Sequence, residues 1–391
     1  MKFVIAPDSY KGSLSAVEVA EWMAKGIRDA VPDADIAIIP LADGGEGTVD
    51  AIIHAAGGTI HEEEVLGPLG DTVPAKYGIL ADGLTGVIEM AAASGLTLVP
   101  QERLNPLRTT TYGTGQLIKA ALDRGCIRII MGIGGSATND GGVGLAQALG
   151  AHFYDDQGRE IGFGGGELAK LHTIDLKSID SRLAACEIVS ASDVTNPLCG
   201  PRGASAVFGP QKGATPHMVE ELDRGLAHLA ARVKEQLGMD ILDLKGGGAA
   251  GGLGAGLSAF LGAKMRRGID IVLEITRFDE QVRDADFVFT GEGRTDGQTA
   301  FGKAPLGVAV AAKKHGKPVI CISGGIGGDV SGLYKLGIDV VIGATQAPMT
   351  LEEAMRDAPD WVRHAARSAA KALTISASFA SGGNGSTKET G

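Results

Sequence analysis

The chain has 391 residues, a formal net charge of −11 at pH 7 and a pI of about 5.3. An acidic chain lacks the basic surface that binds nucleic acid or an anionic membrane, and no apolar stretch approaches the roughly 18 residues needed to span a bilayer. Four cysteines are too few for a disulfide framework. The sequence therefore predicts a cytoplasmic protein of about two domains, with neither nucleic acid nor membrane as a partner.

The opening of the chain alternates strands and helices. The predicted elements are a strand over 2–6, a helix ending near residue 30, a strand over 35–40 and a helix over 48–56. Ser13 or Ser15 caps the first helix, and Glu18, three residues after Ser15, completes a capping box. Strands that alternate with helices indicate parallel pairing and an α/β fold.

The same rhythm returns at the end of the chain. The middle is predicted to hold strands over 73–80, 85–90, 127–131 and 187–191, and helices over 111–124 and 216–237; the end holds strands over 286–290, 318–322 and 338–343, and helices over 303–314 and within 350–372. We expect one parallel sheet built from both termini. The predicted domains are 1–65 with 276–373, an inserted α/β domain over 66–275, and a flexible tail over 374–391.

Polar and glycine-rich loops follow the predicted strands. They carry Asp8, Ser9 and Lys11; Asp43 and Glu46; Gly134, Gly135, Ser136, Thr138 and Asn139; Asp193 and Asn196; and Glu292, Arg294 and Asp296. In open α/β sheets, ligands bind beyond the carboxyl ends of the strands. Repetition of one chemistry in several such loops favours a ligand site over turn formation alone.

The residue types in these loops suit phosphoryl transfer. Carboxylates bind Mg²⁺, glycine N–H groups hold phosphate, cations balance developing charge, and an aspartate orients the attacking hydroxyl. The residues therefore favour phosphoryl transfer with Mg²⁺ as the cation.

Two motif matches leave alternatives open. Residues 297–303 have Walker A spacing, but Ala304 stands where Ser or Thr is required. The glycines that follow the strand over 127–131 resemble a dinucleotide fingerprint, which would make the protein an NAD(P)-dependent oxidoreductase of a small hydroxy-acid. A non-catalytic small-acid sensor is the third interpretation.

Taken together, the motifs resemble the type-1 glycerate kinase family. The segments that carry the resemblance are 6–15 (APDSYKGSLS), 40–48 (PLADGGEGT), 136–142 (SATNDGG), 193–198 (DVTNPL), 200–204 (GPRGA), 248–256 (GAAGGLGAG) and 290–296 (TGEGRTD). The resemblance implies ATP-dependent phosphorylation of D-glycerate, most simply at the 2-hydroxyl. It also implies a flavodoxin-like or Rossmann-like domain and an inserted restriction-enzyme-like domain.

Individual roles are assigned from chemistry. Lys11 and Arg294 are expected to hold the glycerate carboxylate or the transferring phosphate, because an arginine binds a carboxylate with two parallel hydrogen bonds. The remaining assignments are Ser9 and Asn196 for substrate; Asp193, Asp296 and Asp8 as alternatives for the base; Asp43, Glu46 and Glu292 for Mg²⁺; and Gly134, Gly135, Ser136, Thr138 and Asn139 for nucleotide phosphates. The expected partner is the small-molecule substrate, and a homo-oligomer is compatible with the sequence.

Overall fold

The computed structural model describes residues 1–42, 44–297, 299 and 304–382. The chain divides into two compact units. The first unit comprises Met1–Ala42 and Val272–Gly391, and the second comprises Asp43–Ile271.

The strands and helices alternate through most of the chain. The strands are β1 (Lys2–Pro7), β2 (Asp35–Ile38), β3 (Gly58–Leu66), β4 (Thr72–Leu80), β5 (Thr85–Glu89), β6 (Arg128–Gly132), β7 (His152–Tyr154), β8 (Thr173–Asp175), β9 (Glu187–Ala191), β10 (Lys264–Arg266), β11 (Phe287–Asp296), β12 (Val319–Gly327) and β13 (Val340–Gly343). The helices are α1 (Ala16–Ala30), α2 (Thr48–Ala56), α3 (Ala91–Ser94), α4 (Tyr112–Asp123), α5 (Val143–Ala148), α6 (Ala204–Phe208), α7 (Pro216–Leu237), α8 (Leu253–Leu261), α9 (Gly268–Ile275), α10 (Phe278–Arg283), α11 (Ala304–Lys314), α12 (Ser331–Lys335), α13 (Leu351–Arg356) and α14 (Ala358–Gly382). Short 3₁₀-helices lie at Leu96–Leu98, Gln101–Arg103, Gly165–Lys170, Ser181–Ala185 and Pro210–Lys212.

The first unit contains a five-stranded sheet in the order β13-β12-β11-β1-β2. Each neighbouring pair is parallel, so the predicted parallel α/β arrangement is confirmed. Strand β1 comes from the start of the chain, and its partner β11 comes from near the end. Helix α1 begins with the predicted capping box, in which the Ser15 side chain accepts from the Glu18 backbone and the Glu18 carboxylate accepts from the Ser15 N–H.

Strand β11 corrects one expectation. The strand was predicted to end at residue 290, with a polar loop to follow, but β11 continues to Asp296 and pairs with β12 as far as Gly327. Glycines allow this extension because the two backbones approach closely. A Cβ on Gly291 would lie 2.0 Å from the Ile322 carbonyl oxygen, and one on Gly324 would lie 2.5 Å from the Gly293 carbonyl oxygen. These glycines therefore serve strand pairing and not a turn.

The second unit contains a six-stranded sheet in the order β10-β9-β6-β5-β4-β3 and a separate β7–β8 pair. Strands β5, β6, β9 and β10 are mutually parallel, while β3–β4 and β4–β5 are antiparallel. The carboxyl ends of the four parallel strands therefore lie along one edge, which positions the loops that follow them.

The boundaries of the two compact units differ in position from the predicted domain boundaries. The first was expected near residue 66, but β3 pairs with β4 along its whole length and the second unit begins at Asp43. The second boundary lies at Val272 and not at 276. The tail was predicted from residue 374, but α14 continues to Gly382; residues 383–391 lie outside the described residues. The restriction-enzyme-like architecture of the inserted domain stays a prediction.

In the part of the chain that the structure describes, no helix has both the length and the apolar character required to cross a membrane.

Close packing of α1 against α14 depends on Gly26, and it generates a stability prediction. A Cβ on Gly26 would lie 2.2 Å from the Arg363 carbonyl oxygen, so Gly26→Ala should push the two helices apart and lower the free energy of unfolding by about 1–3 kcal/mol. The matched control is Gly332→Ala in α12, where a Cβ would meet nothing within 4 Å and alanine favours the helix. Urea unfolding followed by circular dichroism measures both; equal stabilities would contradict the packing argument.

Candidate functional site

The first unit brings together six of the predicted site residues, which we call the first-unit cluster: Asp8, Ser9, Lys11, Glu292, Arg294 and Asp296. The Asp8 backbone N–H donates to the Gly291 carbonyl oxygen at 2.8 Å. A Cβ on Gly293 would lie 3.3 Å from Tyr10 Cα. The loop after β1 therefore lies alongside the extension of β11, although the two segments are far apart in sequence.

Tyr10 anchors the loop that presents Lys11. Its hydroxyl donates to the Ile322 carbonyl oxygen at 2.8 Å, and burial raises the pKa of the Tyr10 phenol well above its ordinary value. Tyr10 also bridges to Leu14 across a tight turn in which Gly12 has a φ of 79°. The turn leaves Lys11 exposed. The sequence analysis assigned no role to Tyr10 and so missed this anchor.

Glu292 is a buried carboxylate, with 6% of the residue exposed. Its Oε1 accepts hydrogen bonds from Thr299 Oγ1 at 2.5 Å and from Thr295 Oγ1 at 3.2 Å. Thr295 Oγ1 is in turn hydrogen-bonded to Ser323 Oγ. These hydroxyls orient the carboxylate, and their contribution was not predicted from the sequence.

Arg294 is, like Lys11, an exposed cation of the cluster, with 74% of its side chain accessible. Its Nε lies 3.5 Å from Asp296 Oδ2. The guanidinium rests against Gly327, where a Cβ would lie 2.8 Å from Arg294 Nη2. The absence of a side chain at Gly327 therefore leaves room for this guanidinium position.

In the second unit, the loop over 44–47 packs on the loop that follows β6. The Gly134 N–H donates to the Gly44 carbonyl oxygen at 3.1 Å, and a Cβ on Gly132 would lie 2.5 Å from that oxygen. Glu46 is exposed on this loop. Asp43, the other predicted Mg²⁺ contact here, lies outside the described residues.

Glu89 is a site-supporting residue that sequence reasoning missed. It ends β5, and its carboxylate accepts from the Val49 N–H at 2.6 Å and from the Gly47 N–H at 3.2 Å. Glu89 therefore caps α2 and holds the end of the loop that carries Glu46. Burial raises the pKa of Glu89.

The loop predicted to bind nucleotide phosphates is partly exposed and partly buried. Gly135 is exposed and Gly134 is half-buried, whereas Ser136, Thr138 and Asn139 are buried. Asn139 Nδ2 donates to Ser205 Oγ at 3.1 Å; the buried Thr138 Oγ1 and Asn139 Oδ1 atoms have no hydrogen-bond partner. The first part of the loop is therefore the part accessible to a ligand in this conformation.

Lys212 lies beneath that loop and was absent from the predicted site. The residue is 1% exposed, and its Nζ donates to Ser136 Oγ at 2.8 Å and to the Thr138 carbonyl oxygen at 2.6 Å. Burial lowers the pKa of Lys212 to about 7. The local sequence here is Pro210-Gln-Lys-Gly213. Its proline and glycine indicate a turn, but they do not predict that the lysine is buried.

Asp193 and Asn196 lie after β9 in the second unit. Asp193 Oδ1 accepts from the Gly268 N–H at 3.1 Å, and Asn196 Nδ2 donates to the Arg202 carbonyl oxygen at 2.8 Å. The structure therefore divides the three candidate bases between the units, with Asp8 and Asp296 in the first and Asp193 in the second.

The carboxylates of the first-unit cluster suit a hard cation. Among the described residues, no group of three or more His, Cys, Asp or Glu side chains is arranged to hold a metal ion. Mg²⁺ is commonly bound by one or two carboxylates together with substrate phosphates and water. The buried carboxylate of Glu292 fits that requirement.

The dinucleotide interpretation requires a tight turn from strand into helix. Strand β6 ends at Gly132, but the next helix, α5, begins only at Val143, and buried residues occupy the segment between them. The geometry of the NAD(P)-binding fingerprint is therefore not present.

Parallel strands that end in carboxylates, cations and glycine-rich loops define an α/β enzyme that binds small charged ligands. A model of the glycerate kinase family matches residues 3–374. The chain is 53% identical to glycerate 2-kinase of Escherichia coli (strain K12) and 52% identical to glycerate kinase of Bacillus subtilis (strain 168), in each case over 96% of this chain and 98% of the relative. A crystal structure of a protein assigned as glycerate kinase 2 from Salmonella typhimurium LT2 matches with a TM-score of 0.88 and 53% identity, covering 97% of this chain and 99% of that one.

The chain belongs to the glycerate kinase family. The expected enzyme class, a kinase that phosphorylates glycerate with ATP, is confirmed. The oxidoreductase and sensor interpretations are therefore set aside.

Burial of Lys212 generates a pH prediction. Its pKa is about 7 in the folded protein, whereas an unfolded lysine titrates near 10.4. Between these values the unfolded chain binds more protons, so the cost of burying the charge is fully present below pH 7 and is relieved as the pH rises. Between pH 7 and about pH 8.5 the wild type should gain up to about 2 kcal/mol in free energy of unfolding relative to Lys212→Met. The free energy of unfolding of both proteins is measured in urea across this pH range. If it changes equally with pH in both, the pKa of Lys212 is not lowered by burial.

Proposed function

We propose that this kinase transfers the γ-phosphate of ATP to the 2-hydroxyl of D-glycerate, giving 2-phospho-D-glycerate and ADP, with Mg²⁺ as the required cation. The observation that carries the proposal is the first-unit cluster, in which the loop after β1 and the extension of β11 place exposed cations beside carboxylates. The relative from Escherichia coli, at 53% identity, is named glycerate 2-kinase, which supports the 2-position.

Lys11 and Arg294 are proposed to bind the anionic groups. Both are exposed, and both belong to segments that adjoin near Gly293. A guanidinium binds a carboxylate or a phosphate with two parallel hydrogen bonds, and this fixes the orientation of a small acid. Ser9, next to Lys11, and Asn196 are proposed as further substrate contacts.

Asp8 and Asp296 are the better candidates for the group that positions the 2-hydroxyl and accepts its proton, because they share the first-unit cluster with both cations. Asp193 stays the third candidate. Asp8 is buried and follows β1 directly, so its backbone position is well defined; Asp296 is engaged by Arg294. Aspartate-to-asparagine variants, assayed at saturating substrates, rank the three by their loss of kcat. A variant with wild-type kcat is excluded as the base.

Glu292 is proposed as the Mg²⁺ contact of the first unit, with Asp43 and Glu46 as the candidates from the second. When bound, Mg²⁺ would neutralise charge on the transferring phosphate. Thr295 and Thr299 hold the Glu292 carboxylate in one orientation, so they are proposed to pre-organise it.

The loop over 134–139 is proposed to bind the nucleotide phosphates. Gly134 and Gly135 present backbone to solvent, and successive backbone N–H groups bind phosphate well. Ser136 adds a hydroxyl, while Thr138 and Asn139 are proposed to support the loop from inside, since their side chains are buried.

The proposal also includes a cytoplasmic location and D-glycerate as the small-molecule partner, with neither nucleic acid nor a membrane as a partner and with a homo-oligomer allowed. All four cysteines are free thiols, which suits a reducing compartment. Cell fractionation tests the location, and a periplasmic or membrane-bound pool would contradict it.

The first experiment is a coupled assay for ADP with purified protein, MgATP and D-glycerate, followed by ³¹P NMR of the product. ADP should form only when glycerate is present, and the phosphorus–proton coupling should be that of a phosphate on a secondary carbon. Coupling to a methylene group would move the reaction to oxygen 3. Omission of Mg²⁺ with excess chelator should abolish turnover.

Arg294→Ala should lower kcat/KM for glycerate by about 10–100-fold, because the variant loses a charge-assisted hydrogen bond to the substrate and a bond of this kind corresponds to a change of that size. Gly327→Ala should have a smaller effect in the same direction, because a Cβ there would displace the guanidinium and leave its charge in place. The control is Gly332→Ala, which lies outside the cluster. Unchanged kinetics in Arg294→Ala would remove this residue from the site.

A further inference from the structure

Lys212 is a buried charge that the proposed roles leave unused. It ends the 3₁₀-helix Pro210–Lys212 and is followed by Gly213, which has a φ of 88°. A Cβ on Gly213 would lie 2.5 Å from the Leu104 carbonyl oxygen, so the backbone here is drawn tightly into the protein. This packing places the Lys212 side chain inside the second unit, beneath the loop over 134–139.

The hydrogen bonds of Lys212 constrain Ser136. Lys212 Nζ donates to Ser136 Oγ at 2.8 Å, and when Lys212 is protonated its ammonium group can only donate, so Ser136 Oγ is then the acceptor. The hydroxyl proton of Ser136 is then left to be donated to another acceptor. Ser136 is buried and directly follows the exposed Gly135.

The charge of Lys212 has a buried carboxylate near it. The carboxylate that interacts electrostatically with it is that of Asp140. Both oxygens of Asp140 already accept hydrogen bonds, from the Thr111 N–H at 2.8 Å, Thr111 Oγ1 at 2.9 Å and the Gly142 N–H at 3.1 Å. These hydrogen bonds fix the position of the Asp140 carboxylate, which partly balances the charge of Lys212 inside the unit.

We propose that Lys212 is a positioning residue for nucleotide binding: by donating to Ser136 Oγ and to the Thr138 carbonyl oxygen, it makes the Ser136 hydroxyl an obligatory donor to a phosphate oxygen of the nucleotide. This inference rests on the proposed role of the loop over 134–139. It assigns to Lys212 no contact with the substrate.

The test is isothermal titration calorimetry of MgADP with the full-length protein and four variants. Lys212→Met, which keeps an unbranched side chain one atom shorter and removes the donors, should weaken MgADP binding by at least about tenfold. Ser136→Ala should weaken it by a similar factor, and the double variant should be no weaker than either single one, because both remove one interaction. Lys170→Met, an exposed lysine paired with Glu167, is the matched control and should bind as the wild type does.

A second readout is proton uptake, which is measured first on the wild type and then compared with a variant. A phosphate near Lys212 should raise its pKa from the value near 7, so binding of MgADP near pH 7.5–8 should take up a fraction of a proton. Titrations in two buffers of different ionisation enthalpy measure this uptake. It should be present in the wild type and absent in Lys212→Met.

The outcomes separate the inference from the function on which it rests. If Ser136→Ala weakens binding but Lys212→Met does not, the loop binds nucleotide and the inference about Lys212 is wrong. If neither variant changes the affinity of an active enzyme, the loop is not the nucleotide site and both fail. If only Lys212→Met acts, Lys212 does not work through Ser136 and the inference is overturned.

Discussion

The pairing of β1 with β11 is the constraint on which the rest of the first unit depends. It joins the start of the chain to a segment near its end, in parallel register from Phe3 opposite Phe287 to Pro7 opposite Gly291. Buried aromatic residues hold the two strands together, with Phe3 packed against Phe289. Because β1 stops at Pro7 while β11 continues, the loop after β1 turns along the extension of β11. The first-unit cluster is a consequence of that difference in strand length.

Close approach between the backbones of neighbouring loops is a second constraint on the structure, and glycine permits it because it has no side chain. The chain has 60 glycines, and the important ones are not all turn residues. A Cβ on Gly251 would lie 2.0 Å from the Thr138 carbonyl oxygen, and one on Gly132 would lie 2.5 Å from the Gly44 carbonyl oxygen. Loops that meet backbone to backbone leave little room for adjustment, and this gives the second unit defined positions for the residues at its strand ends.

Burial separates the polar residues into two kinds. Glu89, Asp140 and Lys212 lie inside the second unit, where each makes hydrogen bonds to backbone or hydroxyl groups of a loop. Lys11 and Arg294 are exposed and suited to meet a ligand. A buried charged group is costly unless it is hydrogen-bonded, so these buried residues define the shape of the loops, while the exposed ones supply charge to the site.

The sequence by itself determined the α/β class, most element positions and the family, because hydrophobic periodicity, capping signals and ordered motifs are local. Helices α2 and α7 were predicted to their end residues. Strand β3 was not predicted, because its segment is largely polar and exposed and gives no apolar alternation. The continuation of β11 was not predicted, because it depends on pairing with β12, and the unit boundary at Asp43 depends on how the whole unit packs. The burial of Lys212 and Glu89 was also not predicted, because a lysine or a glutamate in a sequence is normally interpreted as a surface residue. Only the tertiary structure, by burying these side chains beneath particular loops, decided what they hold in place.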